Sequence, residues 1–147
     1  MAIIVPTLQG LKTAVQAAWP DVASPSIFRG ETQESIPWGD IPVNSAVIAA
    51  SNFQKTDIGA NQIAFAGSIQ IFRVCKWGAA GQDDTAIGYL DTLLLYLINN
   101  ALPAGQIQTY DGMDWGDEIQ ANAIVIAKNY NTRLIRLSCT VLIGYAG

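Results

Sequence analysis

Residues 63–77 read Ile-Ala-Phe-Ala-Gly-Ser-Ile-Gln-Ile-Phe-Arg-Val-Cys-Lys-Trp, and residues 83–102 read Asp-Asp-Thr-Ala-Ile-Gly-Tyr-Leu-Asp-Thr-Leu-Leu-Leu-Tyr-Leu-Ile-Asn-Asn-Ala-Leu. The first stretch has the period of a strand. Ile63, Phe65, Ile69, Ile71, Cys75 and Trp77 fall on one face. Ala64, Ala66, Ser68, Gln70 and Lys76 fall mostly on the other, with Phe72 and Val74 breaking the pattern. Gly67, in the middle, marks a bend or bulge. The second stretch has the period of a helix, with Ile87, Leu90, Leu94, Leu97 and Ala101 in one stripe, widened by Leu93 and Ile98. Asp83 and Asp84 suit the positive end of its dipole, Asp84 is placed to cap it, and Pro103-Ala104-Gly105 ends it.

Working upstream, Ala46 to Thr56 is a second strand, separated from the first by the turn region Asp57 to Asn61. Together they predict a long antiparallel hairpin projecting beyond the domain. Earlier still, Leu8, Leu11, Val15 and Ala18 recur at helical spacing, with Thr7 as a cap after Pro6 and Trp19-Pro20 as the stop. Residues 20–45 hold most of the prolines and predict a short strand at Ser26 to Arg29 followed by a loop through Ile36-Pro37-Trp38-Gly39-Asp40. The 20–45 segment also carries Glu31 and Glu34, and ordering on binding is expected of it.

Downstream, Gln106 to Tyr110 reads as a short strand and Asp111 to Glu118 as an acidic loop. Ile119 to Tyr130 and Arg133 to Tyr145 read as two strands joined by a polar turn, the last apolar enough on both faces to be covered on both. The order helix, strands, helix, strands predicts a single α+β domain over residues 1–147: a mostly antiparallel β-sheet with two helices packed on it.

Composition excludes several function classes. The chain has no histidine, and 14% of its residues are charged, against roughly 25% in soluble domains. No His-based triad is available, no G-x-S-x-G elbow is present, and Gly78, Gly81 and Gly88 lack the spacing of a phosphate loop. The chain is read as not an enzyme and as needing no cofactor. Its eight basic residues are scattered and its net charge is −4, which argues against a nucleic-acid-binding patch. No apolar run reaches the roughly eighteen residues of a membrane span, and Met1 to Trp19 lacks the pattern of a secretory signal. No membrane partner is expected, and the address read from the sequence is the cytoplasm of the producing cell. Cys75 and Cys139 could in principle form one bridge, but read as reduced, buried apolar fillers.

Three constellations invite testing. Asp111, Asp114, Asp117 and Glu118 offer oxygen ligands for a cation, although their spacing is not that of an EF-hand and a solvated acidic turn accounts for them better. Asp83 and Asp84 could be paired carboxylates, but helix capping explains them. Trp38 and Trp115, in Gly-rich segments, could stack on a sugar, yet such aromatics are also favoured at protein–protein contacts.

Taken together, the helix Leu8 to Trp19, the long hairpin ending in Ile69 to Trp77 and running into the helix Thr85 to Leu102, and the closing strand Arg133 to Tyr145 resemble the tail terminator (tail completion) proteins of long-tailed bacteriophages. These are patterns of elements covering most of the chain, and tail-tube and other small neck proteins share them. The resemblance implies a structural virion protein that forms a homo-oligomeric ring, commonly a hexamer. Such a ring caps the tail tube, contacts the tail-tube protein and the head–tail connector, and lets DNA pass without specific binding. It implies assembly in the host cytoplasm and residence in the virion neck. The hairpin tip (Ser51, Asn52, Phe53, Gln54, Lys55, Thr56, Asp57 and Asn61) would touch the adjacent ring, and Asp111, Asp114, Asp117 and Glu118 would face the lumen. A tail-tube, neck or baseplate subunit is the alternative, with a carbohydrate-binding module behind it.

Overall fold

The computed structural model describes residues 4–22, 25–29, 44–56, 62–76, 83–102, 105–116, 119–121, 124–126 and 132–146. The elements are α1 (Ile4–Ala18), β1 (Ser26–Arg29), β2 (Ser45–Thr56), β3 (Gln62–Lys76), α2 (Asp83–Asn99), β4 (Gln106–Gly116), β5 (Ile119–Ala121), β6 (Ile124–Ile126) and β7 (Thr132–Ala146). Five strands form one sheet in the order β1-β2-β3-β7-β4, and β5 and β6 pair as a separate ribbon. Every pairing in the larger sheet is antiparallel except β1 with β2. The protein is therefore an α+β domain with a mostly antiparallel sheet and two helices, as its sequence predicts.

Both helices lie on one face. The core joins Leu8, Leu11, Val15 and Trp19 of the α1 segment and Ala86, Leu90, Leu93 and Leu97 of α2 to Ala46, Ile48 and Ala50 of β2 and to Ile69, Ile71 and Cys75 of β3. From β7 it takes Ile135, Leu137, Cys139, Val141 and Ile143, each with no solvent exposure. These are alternate residues of each strand, so they share one side of the sheet. The intervening residues of β7, Arg136, Ser138, Thr140 and Leu142, are half-buried. The closing strand is thus covered on one face only, apart from its buried end at Leu134.

Several expected boundaries move. Thr7 is a buried residue inside α1 rather than its cap, because the helix begins at Ile4 and takes Pro6 into its first turn, where a missing N–H costs nothing. Asp83 and Asp84 both lie in the first turn of α2. The stripe that α2 buries is Ala86, Leu90, Leu93 and Leu97, leaving Ile87 and Leu94 half-buried and Ile98 58% exposed. The expected strand Ile119 to Tyr130 is two short strands paired with each other. The loop 36–40, including Trp38, lies outside the described residues.

β2 and β3 pair antiparallel as the hairpin reading requires, with the turn 57–61 outside the described residues. β3 does not run out with β2 alone: β7 accompanies it along its whole length, from Lys76 opposite Thr132 to Gln62 opposite Ala146. Any reach beyond the domain is made by three strands. The bulge expected at Gly67 falls in the opposite strand, between Ser51 and Gln54. Gly67 makes room for it, since a Cβ there would sit 2.5 Å from the ring of Phe53.

Candidate interaction surface

β4 is where the fold leaves the most unfinished. It pairs with β7 on one side and is the last strand of the sheet. The acidic segment expected to be a loop continues this strand to Gly116. Two register shifts, between Ile107 and Thr109 and between Tyr110 and Gly112, leave Gln108 and Asp111 as extra residues. The bulges bring Ile107, Tyr110, Met113 and Trp115 opposite Val141, Cys139, Leu137 and Ile135. All four therefore stand on the helix-bearing side. Their partners on β7 are sealed under the helices, but Tyr110, Met113 and Trp115 are 39%, 42% and 46% exposed. Between the C-terminal end of α2 and β4 runs a groove of about 400 Å³, with Leu97, Ile98, Ile107 and Tyr110 supplying apolar walls and Asn99 and Asn100 amides. Leu95 and Ile98 add exposed apolar surface on α2.

The other side of the sheet is apolar and buried at one end, around Val47, Phe72, Val74 and Leu134, and polar beyond it. Asp111 accepts hydrogen bonds from the hydroxyls of Thr109 at 2.7 Å and Thr140 at 2.8 Å. Asp114 accepts two from Arg136, through Nε at 2.9 Å and Nη2 at 2.7 Å, all on one carboxylate oxygen. Ser68 is exposed and Gln70 and Ser138 half-buried on this same side. Asp111 and Asp114 are thus engaged by neighbours on their own sheet, while Asp117 and Glu118 lie outside the described residues. Among the described residues, no three His, Cys, Asp or Glu come together as a set that could hold a metal ion.

The hairpin-tip residues divide. Gln54 and Lys55 are exposed, Thr56 is half-buried, and Phe53 turns inward onto Gly67 and the core. Asp57 and Asn61 fall outside the described residues.

A second polar cluster is internal. Arg73 occupies a core-facing position of β3 and has no solvent exposure. Its guanidinium donates to both carboxylate oxygens of Asp21, the Nη1 bond measuring 3.0 Å, and to the side-chain oxygen of Asn44 at 3.3 Å. It stacks 3.6 Å from the centre of the Tyr89 ring and 5.2 Å from that of Trp19. Trp19 in turn donates its indole N–H to the carbonyl of Tyr89 at 2.9 Å, tying the end of α1 to α2. Asn44 adopts a positive φ of 65°, which Asn tolerates better than most residues. The hydrogen bonds from Arg73 hold the Asp21 carboxyl below its ordinary range. Burial is the largest single influence on Arg73 and opposes its charge, but the bonds and charge of Asp21 together with Cys75 and Tyr89 more than offset it, and the guanidinium stays protonated.

Cys75 and Cys139 are free and buried. Burial pushes the Cys75 thiol up to about 11 and the Cys139 thiol up to about 12, so neither is a thiolate nucleophile at neutral pH. Among the described residues, no helix is long and apolar enough to cross a membrane.

The exposed side of β4 was hard to see in the sequence. Its two bulges move Tyr110 onto the face of Met113 and Trp115, which breaks the period of two that marks a strand. Trp115 stood out only as a loop aromatic, and Arg73 not at all. No protein-family model matches the chain, and no curated protein matches it in sequence.

Proposed function

We propose that this chain is a structural virion protein that forms a ring ending a phage tail tube and joining it to the head connector. The bare flank at β4 carries the reading. A chain with 14% charged residues that leaves Tyr110, Met113 and Trp115 exposed along one edge strand has a flank suited to burial against another subunit. A cyclic ring buries such flanks in a closed set.

The polar part of the side away from the helices is the proposed lumen wall. Hydroxyls and amides of Ser68, Gln70, Ser138 and Thr140 line it, and its described guanidinium, Arg136, is engaged by Asp114. Such a wall offers phosphates little to hold on to. The exposed Gln54 and Lys55 at the end of β2 are the proposed contact with the adjacent ring.

Light scattering behind a sizing column, with negative-stain imaging of each peak, tests this on the purified chain alone and mixed with tail-tube protein. Discrete rings are expected in at least one of the two. Long tubes formed by the chain alone would reassign it as a tube subunit. A monomer inert to tail components would overturn the proposal.

A further inference from the structure

We propose that the regular part of β4, Gly112 to Gly116, pairs antiparallel with the outer edge of β1 in the next copy of the chain, so that one sheet continues from subunit to subunit. This rests on the ring reading and names the contact within it. β1 and β4 are the two ends of the same sheet, and among the described residues neither has a strand on its outer side. Their directions fit. β4 runs opposite to β7, β7 opposite to β3, and β3 opposite to β2, while β1 runs along β2. β4 and β1 therefore point in opposite directions, and two copies set side by side in the same orientation present an antiparallel pair.

Their lengths also fit. β1 has four residues, and the part of β4 beyond its second bulge pairs with β7 without interruption from Gly112 to Gly116. The helices explain the exposed side chains. α1 packs over β1 and β2 on the helix-bearing face of the sheet. Seating the next copy's β1 on β4 brings that copy's α1 to the side where Met113 and Trp115 stand uncovered.

Pairing of β4 with β4 about a two-fold axis is the competing arrangement. The register that uses the whole regular segment sets Asp114 directly against Asp114 of the other copy, and like charges directly opposed in a sheet destabilise it. β4 on β1 avoids this. Each edge is then used once per subunit, which is the contact a closed ring needs.

The test is cross-linking of the double variant Ile27→Cys/Met113→Cys with a short bis-maleimide, with the assembly state measured in parallel by light scattering. Ser26→Cys/Asp114→Cys serves as the second pair, in the same register as the first, and the wild type controls for the buried native thiols. Expected is a ladder of covalent oligomers ending at the ring size, with each single variant staying monomeric on a denaturing gel. Dimers from Met113→Cys alone would overturn the proposal in favour of two-fold pairing. Intact rings that neither pair cross-links would overturn it and leave the ring reading standing. Absence of rings, alone and with tail-tube protein, would overturn both.

Discussion

Arg73 is the residue whose environment differs most from its type. It sits among apolar side chains on the core face of β3, held by Asp21 and stacked against Tyr89 and Trp19. Removing a partner from a buried charge costs more than removing the charge itself. Asp21→Ala should therefore destabilise the fold by about 1–3 kcal/mol in urea melts. This lies below the full cost for a buried pair because the Asp21 side chain is 43% exposed and water partly replaces it. Arg73→Met removes the charge and keeps bulk and polarisable contact with the rings, so it should cost less than Asp21→Ala. The reverse order would show that stacking, not pairing, holds this corner. The pH dependence has a definite sign. The folded carboxyl titrates below its ordinary value of 3.8, so its contribution is complete above that value and is lost as pH falls through the folded pKa. The stability gap between wild type and Asp21→Asn should be constant near neutrality and close only in strongly acidic solution.

Among the elements, the pairing of β2 with β3 shows both what the chain's pattern reveals and what it conceals. The lengths of β2 and β3 and the α+β order were legible because alternation persists through Ile69, Ile71 and Cys75. Gly67 signalled an irregularity, but a glycine reports only that space is needed, not which strand needs it. The bulge lies across from it, and the ring of Phe53 fills the space. Gly67→Ala would place a Cβ 2.5 Å from that ring, so the ring must move, at a cost of about 1–3 kcal/mol. Phe53→Ala in the same chain should remove the clash. The double variant should then be less destabilised than the two single changes summed, as a double-mutant cycle would measure. Strict additivity would place Phe53 elsewhere. α2 hid its phase for a different reason. Leu93, Leu94, Leu95, Leu97 and Ile98 put apolar side chains all round the helix, so periodicity alone does not select the buried stripe. The sheet beneath chooses Leu93 and Leu97.

On the scale of the whole molecule, the fold completes its core under two helices, and among the described residues no strand lies on the outer side of β4. Edge strands in monomeric proteins are commonly protected by lysine, proline or bulges. β4 has no lysine or proline, and its two bulges lie before Gly112, leaving Gly112 to Gly116 regular; its charges, Asp111 and Asp114, are turned to the other face and engaged there. Placing lysine on the apolar side supplies the missing protection and separates folding from assembly. Met113→Lys and Trp115→Lys alter side chains 42% and 46% exposed, so each should shift stability by no more than about 0.5 kcal/mol. Each should also reduce the assembled fraction sharply, because an unpaired lysine would be buried wherever a second subunit sits. The matched control is Leu95→Lys, at a position 59% exposed on α2. Sizing chromatography and thermal melts on the three variants decide the matter. Assembly lost in the two β4 variants and kept in Leu95→Lys, at unchanged melting temperature, assigns the interface to the sheet edge. Assembly lost only in Leu95→Lys would move it to α2, and with it the way the subunits go round the ring.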